Sequence, residues 1–343
     1  DVGPAYGVSS RQIVKALQRA VTDLGVAHPL HVHCNNLGLP GAVDTALATI
    51  DAAGDMRLHL AHLQFYAYGT EGKQGFSSAA PRLAEVLNKT KNVTIDVGQA
   101  MFGQTVTISS DVQRQFAARG QASPRKYALT DGDGNGGGVV PYKYKAGSFF
   151  NAIQFAAGLE LFLLIDDPAQ VFFTTDHPNG APFTSYPDLF ALLMSRDLRA
   201  QWLEKLPEEA RALTTLGAIT REYTFNDIAV MTRAAPAALL GLRDRGHLRP
   251  GARADVALYR PGADRAQTFR AAAYVYKDGD LVVRDGEVAR YRFGRAVHVA
   301  PPIEAQMRKR MTDYYEDRYG LSPDLFRVPE TAVARPHAFE VAP

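Results

Sequence analysis

Only one of the 343 residues is a cysteine, which excludes an intrachain disulfide framework and makes a reducing cytoplasm the default expectation. Neither sign of charge prevails. Thirty-eight Lys+Arg face 36 Asp+Glu, spread along the chain without the basic stripe of a nucleic-acid binder. Long apolar runs are also missing. The longest, residues 156–165, is interrupted by Glu160 and falls well short of the about 20 residues that span a bilayer. The first residues, Asp1-Val2-Gly3-Pro4, offer neither an initiator Met nor the basic-then-apolar start of a secretory signal. The expectation is a cytoplasmic chain with no nucleic-acid or membrane partner, long enough to bury a substantial core in one large or two ordinary domains.

What is present is an alternation of helical and strand patterns. Ser9 and Ser10 precede an amphipathic run with apolar residues at Ile13, Val14, Leu17, Val21 and Leu24, and Gly25 stops it. Short, nearly continuous apolar bursts follow at 30–34, 58–65, 93–97 and 171–175, with helical stretches between them. Such bursts separated by helices predict βαβ units and a parallel sheet. His33 and His62 are 29 residues apart and His62 and Asp96 are 34 apart, about one βα unit each. The interval from Asp96 to Asp176 is 80 residues, enough for a strand plus an insertion at about 100–150. That insertion contains the Gly-rich run 131–138, expected to be a flexible loop because no Lys-Ser/Thr follows it as a phosphate loop requires.

Four polar groups lie at the ends of the apolar bursts: His31-Val32-His33-Cys34-Asn35-Asn36, His59-Leu60-Ala61-His62-Leu63-Gln64, Asp96-Val97-Gly98-Gln99, and Thr174-Thr175-Asp176-His177-Pro178-Asn179. In a parallel barrel the carboxyl ends of the strands are where catalytic groups collect. A single strand-end His is usually a satisfied structural residue, but five of the nine histidines fall at such ends, one beside an Asp. Neutral imidazoles with a carboxylate suit Zn²⁺. His31 shares a strand face with His33 and can support it. His59, three residues before His62, faces the opposite way on a regular strand and is expected to pack, and Cys34 is expected to be buried.

The order of these groups, followed by Gly-x-Leu-x-x-Gly-x-x-Ala-Asp-Val-x-x-Tyr from Gly246, resembles the amidohydrolase superfamily of metal-dependent hydrolases. The segments 4–8, 31–38, 61–68, 92–99, 138–142, 158–165 and 174–183 are more specifically similar to the A subunits of formylmethanofuran dehydrogenases and bacterial formyltransferase/hydrolase complexes. The resemblance implies a zinc site, binuclear in the intact protein, that hydrolyses the N-formyl group of formylmethanofuran to formate and methanofuran, or condenses them in reverse. It implies His33 and His62 as metal ligands of the fifth and sixth barrel strands. Asp176 on the eighth would be both ligand and general base. Asn35, Asn36, Gln64, Gln99, His177 and Asn179 are candidates to orient substrate, or to cap loops. The partners implied are the other subunits of such a complex.

The first-strand His-x-His pair of the superfamily and the bridging fourth-strand lysine of this family are not found. The only His-x-His is His31/His33, and 143 residues from His33 to Asp176 cannot hold seven further βα units, which need roughly 210. The chain is therefore expected to be the C-terminal half of a TIM-like (β/α)8 barrel, strands five to eight, over residues 1–235. A small β-sandwich module is expected over 236–300, marked by Asp-Gly hairpin turns, and a C-terminal helix and extended arm over 301–343. Two other functions remain open from the sequence: a non-catalytic scaffold of the same fold within the complex, and a dihydropyrimidinase-like cyclic amidase.

Overall fold

A computed structural model describes residues 7–108, 110–111, 128–129, 139–298, 302–326 and 339–341. The Gly-rich run 131–138, most of the extended arm and the first six residues lie outside them. Helix α1 (Ser10–Asp23) starts at a reciprocal cap, with the Gln12 amide N–H donating to Ser9 Oγ at 3.3 Å and the Ser9 N–H donating to Gln12 Oε1 at 2.8 Å. Gly25, at φ +63°, ends it. Strand β1 (Leu30–Val32), helix α2 (Ala42–Ala53), strand β2 (Leu58–Leu60), helix α3 (Ala80–Lys89) and strand β3 (Val93–Asp96) follow in regular succession.

The chain then makes an antiparallel hairpin of β4 (Gly103–Ile108) and β5 (Val139–Tyr144), passes through helix α4 (Phe149–Leu164), and enters strand β6 (Val171–Phe172). Strands β1, β2, β3 and β6 form one parallel sheet in that order. The apolar bursts thus give an α/β fold with a parallel sheet. Leu58, Leu60, Val93, Ile95 and Val171 are fully buried, as expected of strands covered by helices. His31, His59 and Thr94 stand opposite one another in the ladder, so one sheet face carries a polar row. Helix α4 is almost wholly buried and apolar on every face except at Asn151, Gln154 and Glu160, which is how a core helix differs from an amphipathic one.

Helices α5 (Tyr186–Met194) and α6 (Arg196–Leu203) continue the core. The fully buried Arg199 donates to the carbonyl of Leu192 at 2.8 Å, a group left open at the end of α5, and to that of Arg221 at 2.7 Å, tying in the segment that follows. The boundary expected at 235/236 falls inside a helical segment running from Phe225 through Leu239. Beyond it, β7 (Val256–Leu258), β8 (Tyr274–Lys277), β9 (Asp280–Arg284) and β10 (Glu287–Val288) form a four-stranded sheet with antiparallel pairings. It is one sheet, where the spacing predicts a sandwich. Its tight turns are the Asp-Gly pairs: Asp278-Gly279 at φ +51° and +84°, and Asp285-Gly286 at +52° and +85°, the positive pair a type I′ turn needs. Helix α7 (Arg265–Arg270), between β7 and β8, packs against α5 through Phe269 and Phe190, with ring centroids 4.7 Å apart. Helix α8 (Ala305–Tyr319) buries no residue. Among the described residues no helix is long and apolar enough to cross a membrane.

Candidate functional site

The four strand ends of the parallel sheet are stitched to one another just beyond the ladder. Ala61 N–H donates to Val32 O at 3.0 Å, Gln64 N–H to Val97 O at 2.9 Å, and Gln99 N–H to Thr174 O at 2.9 Å. Between these ties the backbone turns sharply at two candidate ligands: His62 has φ +34° and Asp176 φ +51°. Non-glycine residues in this left-handed region persist only where the surroundings hold them, and they cluster at functional sites. Gly98, at φ +68°, lies directly against His62. A Cβ there would sit 2.5 Å from His62 Cβ and 2.9 Å from its Cα, so only glycine leaves the room His62 occupies.

These turns bring His33 Nδ1 to 2.6 Å from His62 Nε2, a contact in which one imidazole donates and the other accepts. His31 lies against both His33 and His59, with ring centroids 5.2 and 5.1 Å away. Asp96 completes the group: Oδ1 accepts from the His62 backbone N–H at 2.8 Å, and Oδ2 is 3.2 Å from His59 Nε2. His59 Nδ1 is 2.9 Å from Thr94 Oγ1. His59 packs as expected: it is 4 % exposed and its ring stacks on Phe172 with centroids 5.3 Å apart. β2 ends at Leu60, and Asp96 joins the His59 side chain to the backbone of the left-handed turn at His62. Burial pushes the His62 imidazole below its ordinary range, opposed by the nearby charge of Asp176. At neutral pH it is the free base that metal ligation requires. Tyr66 stacks on it at 5.6 Å.

Asp176 enters this group through its charge rather than by a hydrogen bond to either imidazole. Among the described residues no three His, Cys, Asp or Glu side chains close into a cluster that could hold a metal ion; His33 and His62 form a close pair. The Asp176 N–H donates to Thr174 Oγ1 at 2.9 Å, and Oδ2 accepts from Asn179 Nδ2 at 2.9 Å.

The candidate substrate residues divide sharply. Gln64 and Gln99 are both 0 % exposed. Gln64 Nε2 donates to Tyr68 Oη, and Gln99 Nε2 donates to the carbonyls of Ala100 at 2.8 Å and Phe155 at 3.0 Å. Both pack on Gly158 of α4, where any side chain would collide with Gln99. Both are held inside the protein against α4. Asn35 is exposed, and Asn36, half-buried at φ +68°, donates from Nδ2 to Thr45 Oγ1 at 2.8 Å. Both border a cavity of about 440 Å³ that Ser9, Arg11 and Asp44 also line. His177 is exposed and its Nδ1 accepts from Phe183 N–H at 3.1 Å. Cys34 is buried, and burial pushes its thiol up to about 11, so it is no ready thiolate ligand.

Sequence reasoning alone misses the roles of Asp96, Gly98 and Thr94 in this group. Asp96 carries a usable signal, since it ends an apolar burst one βα unit after His62.

The sequence profile of the amidohydrolase family matches residues 5–289. The A subunit of the formyltransferase/hydrolase complex Fhc of Methylorubrum extorquens is 49% identical over 337 residues, covering 97% of this chain and 62% of that protein. Protein FwdA of Methanocaldococcus jannaschii is 37% identical over 319 residues, covering 87% of this chain and 56% of its own length. A chain of the solved FhcABCD complex of M. extorquens with methylofuran superposes with a TM-score of 0.91 at 48% identity, covering 99% of this chain and 63% of that one. The chain thus spans less than two thirds of the length of these relatives. The resemblance carried by its strand-end motifs is the one they share, and the chain belongs to the amidohydrolase family.

Proposed function

We propose that this chain supplies part of a zinc-dependent hydrolytic site that cleaves the N-formyl group of formylmethanofuran, or forms it in reverse, within a multi-subunit complex of one-carbon metabolism. The observation that carries this is the convergence of His33 and His62, with the charge of Asp176 acting on His62, in a chain 49% identical to the A subunit of a formyltransferase/hydrolase complex.

The sheet supports reading this region as strands five to eight of a (β/α)8 barrel. Its strands run β1-β2-β3-β6 with each beside its predecessor in the sheet, as in a barrel, whereas a doubly wound sheet reverses direction at a switch point. Helix α1 leaves Ile13, Leu17 and Leu24 about half exposed, an apolar stripe of the kind a neighbouring barrel helix covers.

The donor set suits zinc, which takes imidazole nitrogen and carboxylate oxygen. His33 Nδ1 and His62 Nε2 face each other at 2.6 Å, so one nitrogen of each ring is already turned to a common point. His33 and His62 would hold the metal with Asp176. When bound, zinc polarises a carbonyl and lowers the pKa of a coordinated water to about 7. The rest falls to the chain. Asp96 fixes the His62 backbone and His59, and Tyr66 walls one face of His62. Asp176 has Oδ2 committed to Asn179, which leaves Oδ1 to take a proton and return it to the leaving amine nitrogen.

In the intact complex, Asp176→Asn should abolish formylmethanofuran hydrolysis while circular dichroism stays unchanged, and about two zinc ions should be found per protomer of the unaltered protein. Turnover surviving in Asp176→Asn would remove Asp176 as the base. Absence of zinc from the unaltered complex would favour a scaffold role, and hydrolysis of dihydrouracil instead of the formamide would favour a cyclic amidase.

A further inference from the structure

The β4/β5 hairpin is inserted between β3 and α4, and it reaches back across the end of β6. Thr105 and Thr107 of β4 are two residues apart, so their side chains leave the same face of the strand. Both hydroxyls donate into the turn that begins at Asp176: Thr105 Oγ1 to the carbonyl of Pro178, and Thr107 Oγ1 to Asn179 Oδ1. Thr107 is 2 % exposed and Asn179 8 % exposed, so water does not compete for this contact.

Asn179 has both ends of its amide committed. Its Nδ2 donates to Asp176 Oδ2 at 2.9 Å, and its backbone N–H donates to the carbonyl of Asp176 at 2.6 Å. The carboxylate fixes the amide in one orientation. Turned over, it would set its carbonyl oxygen against the Asp176 carboxylate, so Asp176 fixes the orientation and the Thr107 hydroxyl, which can donate or accept, donates to the oxygen it then faces. The turn has no slack elsewhere. A Cβ at Gly180 would lie 2.6–2.8 Å from the carbonyl oxygens of Gln99, Thr175 and Gly98. The Asp176 carboxylate, on a left-handed backbone, is thus rotated and held by a relay whose outer end is a strand of the insertion.

We propose that Thr107, acting through Asn179, is a positioning residue for Asp176: it sets which carboxylate oxygen is tied back and which faces the histidine pair. Asn179 then serves Asp176 rather than substrate, and the hairpin becomes part of the catalytic frame. This rests on the reading of Asp176 as ligand and proton acceptor.

The test is Thr107→Val, which keeps the shape and removes the hydroxyl, compared with Thr107→Ser, which keeps the hydroxyl, both made in the intact protein within its complex. Loss of such a supporting hydrogen bond costs about 10–100-fold in metal affinity or turnover. The expected result for Thr107→Val is a kcat lower by about 10–100-fold with KM little changed, and zinc affinity weaker by a similar factor, read by competition with a chelating indicator. Thr107→Ser should restore both to within about threefold. Should Thr107→Val fail to fold, Asn179→Ser carries the same test. Wild-type kcat and zinc affinity in Thr107→Val would overturn the proposal, as would equal losses in the Val and Ser variants, which would mark a packing role. Failure here is distinguishable from failure of the functional reading: the latter requires that Asp176→Asn remain active, whatever Thr107 does.

Discussion

Replacing Gly98 by alanine tests whether the backbone at the end of β3 sets the position of His62. Two costs combine. Alanine at φ +68° must occupy the left-handed region, which costs about 1–2 kcal/mol for a residue with a Cβ. The new methyl would also stand 2.5 Å from His62 Cβ, 2.9 Å from His62 Cα and 3.3 Å from Phe65 Cε2. The first two neighbours are backbone or adjacent to it, so relief requires shifting the chain, and such overpacking costs about 1–3 kcal/mol. The expected destabilisation is about 2–5 kcal/mol, or roughly 3–7 °C in Tm, given an unfolding entropy of about 2.1 cal/mol/K per residue over a chain of 343 residues. Gly25→Ala is the internal control. It has φ +63° but nothing within 4 Å of the added Cβ, so it carries the conformational cost alone. Thermal unfolding of both variants by calorimetry gives the steric part by difference. Because a misplacement of about 1 Å at a reacting group can cost about 100-fold in rate, Gly98→Ala should also lower turnover, and Gly25→Ala should not. Equal stabilities for the two variants, with turnover retained in both, would refute the claim that Gly98 exists to admit His62.

Other consequences follow from the same structure. Burial holds the His62 imidazole below its ordinary pKa of 6.5, so the folded metal-free protein binds fewer protons there than the unfolded chain. The stability contribution is therefore complete above about pH 6.5 and is lost as pH falls from there through the lowered folded value. The Tm of metal-free protein should decline over that window more steeply than that of His62→Asn, and parallel curves would contradict the burial effect. Glu160, 0 % exposed within α4, accepts from Ser78 Oγ, from the Thr215 backbone N–H and from Thr215 Oγ1 at 2.7 Å. Glu160→Ala leaves those donors without an acceptor and should cost about 2–4 kcal/mol in urea unfolding. Glu160→Gln should cost less, since burial already pushes this carboxyl up towards its neutral form. A smaller loss for Ala than for Gln would show that the buried acceptor is not what holds α4 to its neighbours.

Much of the scaffold was legible because its signals are local. The apolar bursts at Leu58 and Val93 read as covered strands, Ser9 and Ser10 marked the start of α1, and the Asp-Gly pairs placed the turns of the antiparallel sheet, since each depends on residues within a few positions of one another. The pairing of His33 with His62 was legible at one remove, through the βα spacing that puts successive strand ends side by side. What the residues could not disclose alone is how the chain behaves once a strand stops. That one carboxylate, Asp96, would hold both the His59 side chain and the His62 backbone depends on the left-handed turn at His62. Gln64 and Gln99 were legible as candidates to orient substrate or to cap loops by their place after strands, but not that both are fully buried against α4, where Gly158 lets the helix approach closely. Thr107 carries no mark of its own, and its tie to Asn179 spans 72 residues. The local pattern of polarity determined which residues form strands, helices and turns, and which strand ends carry donors. Only tertiary structure decided which donors meet, which are buried and which hold another in place, because those outcomes depend on close packing between segments whose separation in sequence has no periodicity to read.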